Sequence, residues 1–134
     1  MTLRYMLDTN ICIFVMAGRG TALQARFERE AAHLCMSSVT LAELSYGVEK
    51  SVARTRNQQA LAAFAARVEI VDFDPDAAAT YGVLRARLEA AGSVIGPYDM
   101  MIAAHALSRR LAVVTNNRRE FDRVDGLLVE DWSV

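Results

Sequence analysis

The sequence has few of the residues that mark secreted, zinc-binding or histidine-based proteins, since its 134 residues include two cysteines, two prolines and two histidines. Cys12 and Cys35 each lie in an apolar run and form no CxxC pair, so we expect buried free thiols rather than a disulfide framework or a zinc site. No apolar run approaches the ~20 residues that span a bilayer, and the N-terminus has no signal-peptide core. We therefore expect a cytoplasmic protein without a membrane segment.

Lysine is nearly absent: of the 15 Lys and Arg residues, Lys50 is the only lysine and the others are arginines. Arginine can bind a phosphate through two parallel hydrogen bonds, which lysine cannot do. Arginine-favouring codons would give the same excess. The net charge of −1 also argues against indiscriminate electrostatic capture of nucleic acid.

Short apolar segments alternate with longer amphipathic ones along the whole chain. The predicted strands cover residues 3–7, 34–36, 68–71, 111–114 and, less clearly, 127–129. The predicted helices cover residues 11–17, 21–32, 38–50, 54–66, 75–91 and 97–110, with a short helix within 115–121. Asp74 is the expected N-cap of the helix at 75–91. No connection resembles a tight hairpin, which favours a three-layer α/β/α fold with a mostly parallel sheet of four to five strands. We expect one domain over residues 1–134.

Three acidic residues are predicted to meet at one edge of this sheet. Asp8 ends the first strand, Glu43 lies in the helix after the second, and Asp99 lies at the start of the helix before the fourth. Ligands bind outside the carboxyl ends of strands in such sheets. Carboxylates gathered there repel one another and raise each other's pKa, an arrangement that suits a divalent cation with oxygen ligands.

Each acid also has a structural explanation of its own. Asp8 could cap the first helix, and Thr40 to Glu43 fits the capping-box pattern. Asp99 would interact favourably with the positive end of its helix. The functional hypothesis therefore depends on the three acids together.

Four motifs, in order, resemble the PIN domain: Leu7-Asp8-Thr9-Asn10, Thr40-Leu41-Ala42-Glu43-Leu44, Pro97-Tyr98-Asp99 and Val114-Thr115-Asn116-Asn117. More narrowly, residues 96–103, 115–121 and 129–132 resemble the VapC toxins of bacterial type II toxin–antitoxin pairs. The resemblance extends over residues 3–132.

This resemblance implies a metal-dependent endoribonuclease that cleaves RNA phosphodiester bonds, with structured RNA such as tRNA as the expected substrate. Asp8 and Asp99 would be the main metal ligands and Glu43 a third. The expected cofactor is Mg²⁺, for which Mn²⁺ could substitute. An in-line attack of metal-activated water on phosphorus requires no nucleophilic side chain.

One position departs from the family pattern, because many PIN domains have a fourth acid where this chain has Asn117. Glu120 could supply that acid and is a further candidate catalytic residue. The residues leave open whether one metal ion or two are bound. The remaining candidates support the carboxylates or orient the substrate (Thr9, Thr115, Asn116 and Asn117) or bind RNA phosphates (Arg118 and Arg119).

The resemblance also implies protein partners. It indicates a homodimer and a cognate VapB-type antitoxin, joined in a larger toxin–antitoxin complex. The antitoxin would lay a segment across the site and insert a basic side chain among the acids.

Two other functions are compatible with parts of the pattern. A catalytically inactive PIN-fold module that binds RNA or an antitoxin is suggested by Asn117. A phosphatase with Asp8 as a covalent nucleophile is disfavoured, because such enzymes require a second Asp where Asn10 lies. His105 is interpreted as a packing residue, which disfavours a histidine-based nuclease.

Overall fold

Five short parallel strands form the central sheet of the computed structural model, which describes residues 2–134. The strands are β1 (Tyr5–Leu7), β2 (Leu34–Ser37), β3 (Glu69–Val71), β4 (Ala112–Val114) and β5 (Val129–Glu130). Their order is β3-β2-β1-β4-β5, and every adjacent pair is parallel. The chain first builds outward from β1 on one side and then returns to the other side at β4. The carboxyl ends of β1 and β4 therefore flank the switch point where such sheets bind ligands.

Helices cover both faces of the sheet. They are α1 (Thr9–Met16), α2 (Thr21–Arg29), α3 (Ser38–Glu49), α4 (Arg54–Ala65), α5 (Pro75–Ala90), α6 (Pro97–Arg109) and α7 (Arg118–Phe121). Alternate strand residues enter two separate apolar clusters, Met6 in one and Tyr5 and Leu7 in the other, as the two-residue period of a strand requires. The predicted α/β/α architecture is confirmed. No helix in the described part of the chain has the length and apolarity needed to cross a membrane.

Most element boundaries differ from the expected ones by one or two residues, and hydrogen bonds explain the differences at α2 and β5. Helix α2 stops at Arg29, and a 3₁₀ turn follows at Ala31–His33, closed by a 2.8 Å hydrogen bond from His33 N to Glu30 O. Strand β5 begins at Val129 rather than residue 127, because Leu127 N donates to Val124 O in a turn. The predicted cap of α5 is confirmed, since Ala77 N donates to Asp74 Oδ1 at 2.9 Å.

Candidate active site

Asp8 lies at the carboxyl end of the central strand and also caps the following helix. Its backbone N–H donates to Val114 O of the neighbouring strand at 3.0 Å, and its Oδ1 accepts from Ile11 N at 2.8 Å. The residue is 2% exposed. The capping role and a place among the site carboxylates therefore occur together, since one carboxylate oxygen is enough to cap the helix.

Glu43 is held by a threonine of another helix rather than by a capping box. The N-cap of α3 is Ser37, whose Oγ accepts from Val39 N at 3.1 Å, so the capping-box interpretation of Glu43 is wrong. Glu43 instead accepts a 2.6 Å hydrogen bond from Thr9 Oγ1. Thr40, one turn before Glu43, is fully buried with its Oγ1 3.4 Å from that of Thr9. The two predicted threonine–acid motifs are thus in direct contact.

Asp99 and Glu120 meet beside Gly96, at the start of α6. A Cβ atom added to Gly96 would lie 3.8 Å from Asp99 Oδ2 and 4.0 Å from Glu120 Oε2. Asn117 Nδ2 donates to the same Glu120 oxygen at 3.1 Å, and Asn117 N donates to Thr115 Oγ1 at 2.8 Å. Glu120 therefore joins the carboxylates, and Asn117 holds it there. From here on, the carboxylate group refers to these four acidic side chains taken together: Asp8, Glu43, Asp99 and Glu120.

The electrostatics of this group show a concentration of negative charge. The pKa of Asp8 is raised to about 6, mainly by burial; hydrogen bonds from the Thr115 hydroxyl and the Ile11 amide lower it, and the charges of Glu43 and Asp131 contribute to the rise. The pKa of Asp99 is raised to about 7, mainly by burial, with contributions from its hydrogen bond with Glu120 and from the charges of Asp8, Glu120 and Glu43. Raised carboxyl pKa values are the expected result of desolvation and nearby like charge.

None of the four carboxylates pairs with an arginine, lysine or histidine within residues 2–134. Over the same residues, no three potential ligand side chains converge closely enough to form a metal cage. Mg²⁺ does not need such a cage, because it keeps several waters and is held by one or two carboxylates together with substrate phosphates. An uncompensated set of hard oxygen donors fits a divalent cation.

The two arginines predicted to bind RNA differ in their surroundings. Arg118 Nη1 donates to Val129 O at 2.9 Å and its Nε lies 3.2 Å from Asp122 Oδ2, so its guanidinium is engaged with β5 and its own helix. Arg119 is exposed. Asn116 is half-buried immediately beyond Thr115, near the end of β4.

Asp131 is a carboxylate near the site that the sequence interpretation missed. It follows the last strand and its charge raises the pKa of Asp8. Its Oδ1 accepts from Ser133 N at 2.8 Å. The rule that found Asp8 at a strand end would have found Asp131 as well, had β5 been expected to end at Glu130.

Comparison with known proteins gives the same assignment over nearly the whole chain. The PIN domain profile matches residues 5–127. The tRNA(fMet)-specific endonuclease VapC of Salmonella typhimurium is 48% identical over 130 residues, 97% of this chain and 98% of the relative. The protein of the same name from Shigella flexneri is 49% identical over 131 residues, 98% of this chain and 99% of the relative.

Solved structures agree with these relatives. The structure of DNA-bound VapBC from Salmonella typhimurium has a chain with a TM-score of 0.94 and 48% identity, covering 97% of this chain and 98% of that one. The structure of VapBC2 from Rickettsia felis, bound to a DNA fragment from its promoter, has a chain with a TM-score of 0.91 and 40% identity, covering 98% of this chain and 99% of that one. PIN-domain ribonucleases generally depend on divalent metals. From its profile match, its relatives and its fold, this chain belongs to the PIN-domain family, in the VapC group.

Proposed function

We propose that this chain is the toxin of a type II toxin–antitoxin pair, acting as an Mg²⁺-dependent endoribonuclease over a single PIN domain of residues 1–134. The observation that carries the proposal is the carboxylate group, which gathers four acids at the switch point of the sheet without a compensating cation. Relatives over the full length are named as endonucleases and ribonucleases.

In this proposal Asp8 and Asp99 are the main metal ligands, Glu43 is a third acid that binds the ion directly or through water, and Glu120 is a further catalytic acid. A bound divalent cation would lower the pKa of a water molecule and neutralise charge on the phosphoryl oxygens. Thr9 fixes the orientation of Glu43 through its 2.6 Å hydrogen bond. Asn117 does the same for Glu120, and Thr115 orients the backbone of Asn117. Asn116 is the side chain we assign to the scissile phosphate.

We propose Mg²⁺ as the cellular ion, since the donor atoms of the site are oxygens, which are the ligands that Mg²⁺ takes in proteins. Mn²⁺ accepts the same ligands and serves as a probe for binding. Since the chain would act on cellular RNA and be held in check by a partner protein, we place it in the cytoplasm.

The proposed substrate is a structured RNA, with initiator tRNA as the first to be tested, because two close relatives are named as tRNA(fMet)-specific. The net charge of −1 supports recognition of a defined RNA shape over general electrostatic attraction. Arg119 is the better candidate for a phosphate contact, since Arg118 is engaged with Val129 O and Asp122.

The proposed partner is a VapB-type antitoxin, as in the VapBC complexes to which this chain is similar. A groove of about 370 Å³ supports this, because its walls are mainly apolar and Glu43 is one of the residues that line it. A peptide filling the groove would reach the carboxylate group and could place a basic side chain there. Residues of α1, α3 and α4 line it, among them Ile13, Met16, Leu44, Val48 and Leu61. A homodimer of the toxin within the complex is part of the proposal.

Inducible expression in bacteria without the antitoxin tests the proposal. We expect wild-type protein to arrest growth and to leave one discrete cut in a structured RNA. Asp99→Asn should do neither, whereas Glu89→Gln, which changes an exposed acid on α5, should behave as wild type. Equal arrest by wild type and Asp99→Asn would instead favour a toxin that acts by binding alone.

A further inference from the structure

A buried hydrogen bond connects the helices that carry Glu43 and Asp99. His105, in the middle of α6, is fully buried, and its Nδ1 lies 2.8 Å from Ser37 Oγ. Ser37 is the N-cap of α3. Phe73 packs edge-on against the imidazole with 5.4 Å between the ring centroids. The expected packing role of His105 therefore comes with a specific polar contact.

The direction of this hydrogen bond follows from the partners of Ser37. Its Oγ already accepts from Val39 N at 3.1 Å, so the hydroxyl proton needs an acceptor, and His105 Nδ1 lies within reach. Ser37 thus donates to a neutral imidazole whose proton is on Nε2. Nε2 is buried and has no hydrogen-bond partner of normal geometry among the described residues, although the backbone of Asp72 lies close enough to raise the pKa of His105. A leucine would fill the space but leave the buried Ser37 hydroxyl without its acceptor, so packing alone does not account for a histidine here.

We propose that His105 is a positioning residue, which fixes α3 against α6 through Ser37 and so sets Glu43 relative to Asp99. This inference rests on the proposed function in taking those carboxylates as metal ligands. The first turn of α3 is the part that is held: Phe73 N donates to Ser38 Oγ at 3.0 Å, beside the Ser37 cap.

From that turn the constraint reaches the acid through the threonines. Thr40 lies in the same turn and its Oγ1 is 3.4 Å from that of Thr9, the residue that donates to Glu43. On the other side, Asp99 and His105 share α6, which is rigid over that distance. A loosened Ser37–His105 contact would therefore move one metal ligand relative to another without touching either.

The test compares His105→Leu, His105→Asn and Ile102→Val in the full chain. Leucine fills the site without an acceptor, whereas the asparagine side-chain oxygen can replace Nδ1 as acceptor. Ile102→Val trims a fully buried side chain of the same helix and serves as a packing control. Mn²⁺ affinity is measured by calorimetry, and hydrogen exchange of the Val39 amide reports the Ser37 cap without any metal.

We expect His105→Leu to weaken Mn²⁺ binding about tenfold and to speed Val39 exchange, with a change in Tm below about 5 °C. His105→Asn should bind within about threefold of wild type, and Ile102→Val should match wild type in both measurements. Wild-type affinity and exchange in His105→Leu, or an equal loss in Ile102→Val, would overturn the proposal. Absence of Mn²⁺ binding by the wild type would contradict the proposed function instead, and Val39 exchange would then decide the positioning role alone.

Discussion

The molecule has two populations of carboxylates, which differ in whether an arginine neutralises them. On the outer helices acids pair with arginines, as in Glu89 with Arg85 at 3.0 Å, Glu30 with Arg26 at 3.4 Å, and Glu28 with Arg67. At the carboxyl edge of the sheet the carboxylate group has no such partner within residues 2–134. Such surface pairs contribute little to stability, whereas the carboxylates of the unpaired edge repel one another in the metal-free protein. The first population is thus electrostatically satisfied within the chain, and the second is the one to which we assign the proposed function.

Neutralising one acid of the unpaired edge should have the largest effect on catalysis. We expect Asp8→Asn or Asp99→Asn to lower kcat/KM for RNA cleavage by about 10²–10³-fold, because each removes a charged metal ligand. Asparagine is also a good N-cap, so Asp8→Asn should not disturb α1. Single-turnover cleavage of a tRNA transcript measures the effect. Glu89→Gln, from the paired population, should retain wild-type activity, and a comparable loss there would remove the distinction between the two populations.

A divalent cation should stabilise the protein through the unpaired edge alone. At a metal concentration 100 times Kd, selective binding to the folded state adds about 2.7 kcal/mol to the free energy of unfolding. Denaturant unfolding with Mg²⁺ and with EDTA measures this gain. Asp99→Asn should lose most of it and Glu89→Gln none. If Asp99→Asn gained as much as wild type, the ion would bind elsewhere.

The pH dependence of stability should also separate the two populations. Burial raises the pKa of Asp8 to about 6 and that of Asp99 to about 7, so between about pH 4 and pH 7 the folded state binds more protons than the unfolded state. The free energy of unfolding of the metal-free protein therefore falls as pH rises through this window. We expect a fall on the order of 2 kcal/mol, less than the full shifts would give because Asp99 is only half-buried.

Comparison with Asp99→Asn isolates this effect. Burial lowers the pKa of His105, so the unfolded state binds the histidine proton more readily than the folded state. The contribution of His105 to the free energy of unfolding therefore rises with pH, opposite to that of the two aspartates. Unfolding curves in EDTA should show a shallower fall for Asp99→Asn than for wild type, and no such change for Glu89→Gln. Parallel wild-type and Asp99→Asn curves would contradict the assigned charge repulsion.

Within the site, loss of the Glu43 carboxylate should lower activity more than loss of the Asn117 amide, which only hydrogen-bonds to Glu120. Glu43→Gln removes a charge beside Thr9, and we expect a loss of activity of about tenfold to 100-fold. Asn117→Ala removes only the 3.1 Å hydrogen bond to Glu120, and we expect less than about tenfold. Side-by-side cleavage rates decide the order. The reverse order would assign Asn117 a direct role in catalysis.

Sequence reasoning succeeded where one local rule was sufficient. Alternating strands and helices predicted the parallel sheet, and Asp74 the start of α5. It did worse where long-range contacts decide. The capping-box pattern at Thr40 was overridden by Ser37. Glu120 was named as a candidate, but no local pattern showed that it would meet Asp99.

The burial of a side chain was easier to predict than its hydrogen-bond partner, because burial shows in the neighbouring sequence and a distant partner does not. The apolar neighbours of His105 in sequence indicated that it is buried, but Ser37 is 68 positions away, and no local pattern connects the two. Asp131 was missed because the end of β5 is set by its pairing with β4 rather than by a local signal.

The most direct test of the metal-dependent carboxylate edge is cleavage of an initiator tRNA transcript by purified protein freed of its antitoxin. The same sample would be followed first in Mg²⁺, then in excess EDTA, and again after Mg²⁺ is restored, with Asp99→Asn in parallel. We predict one discrete cut by the wild type that stops in EDTA and resumes with Mg²⁺, and no cut by Asp99→Asn. Cleavage that continues in EDTA, or that Asp99→Asn performs at the wild-type rate, would contradict it.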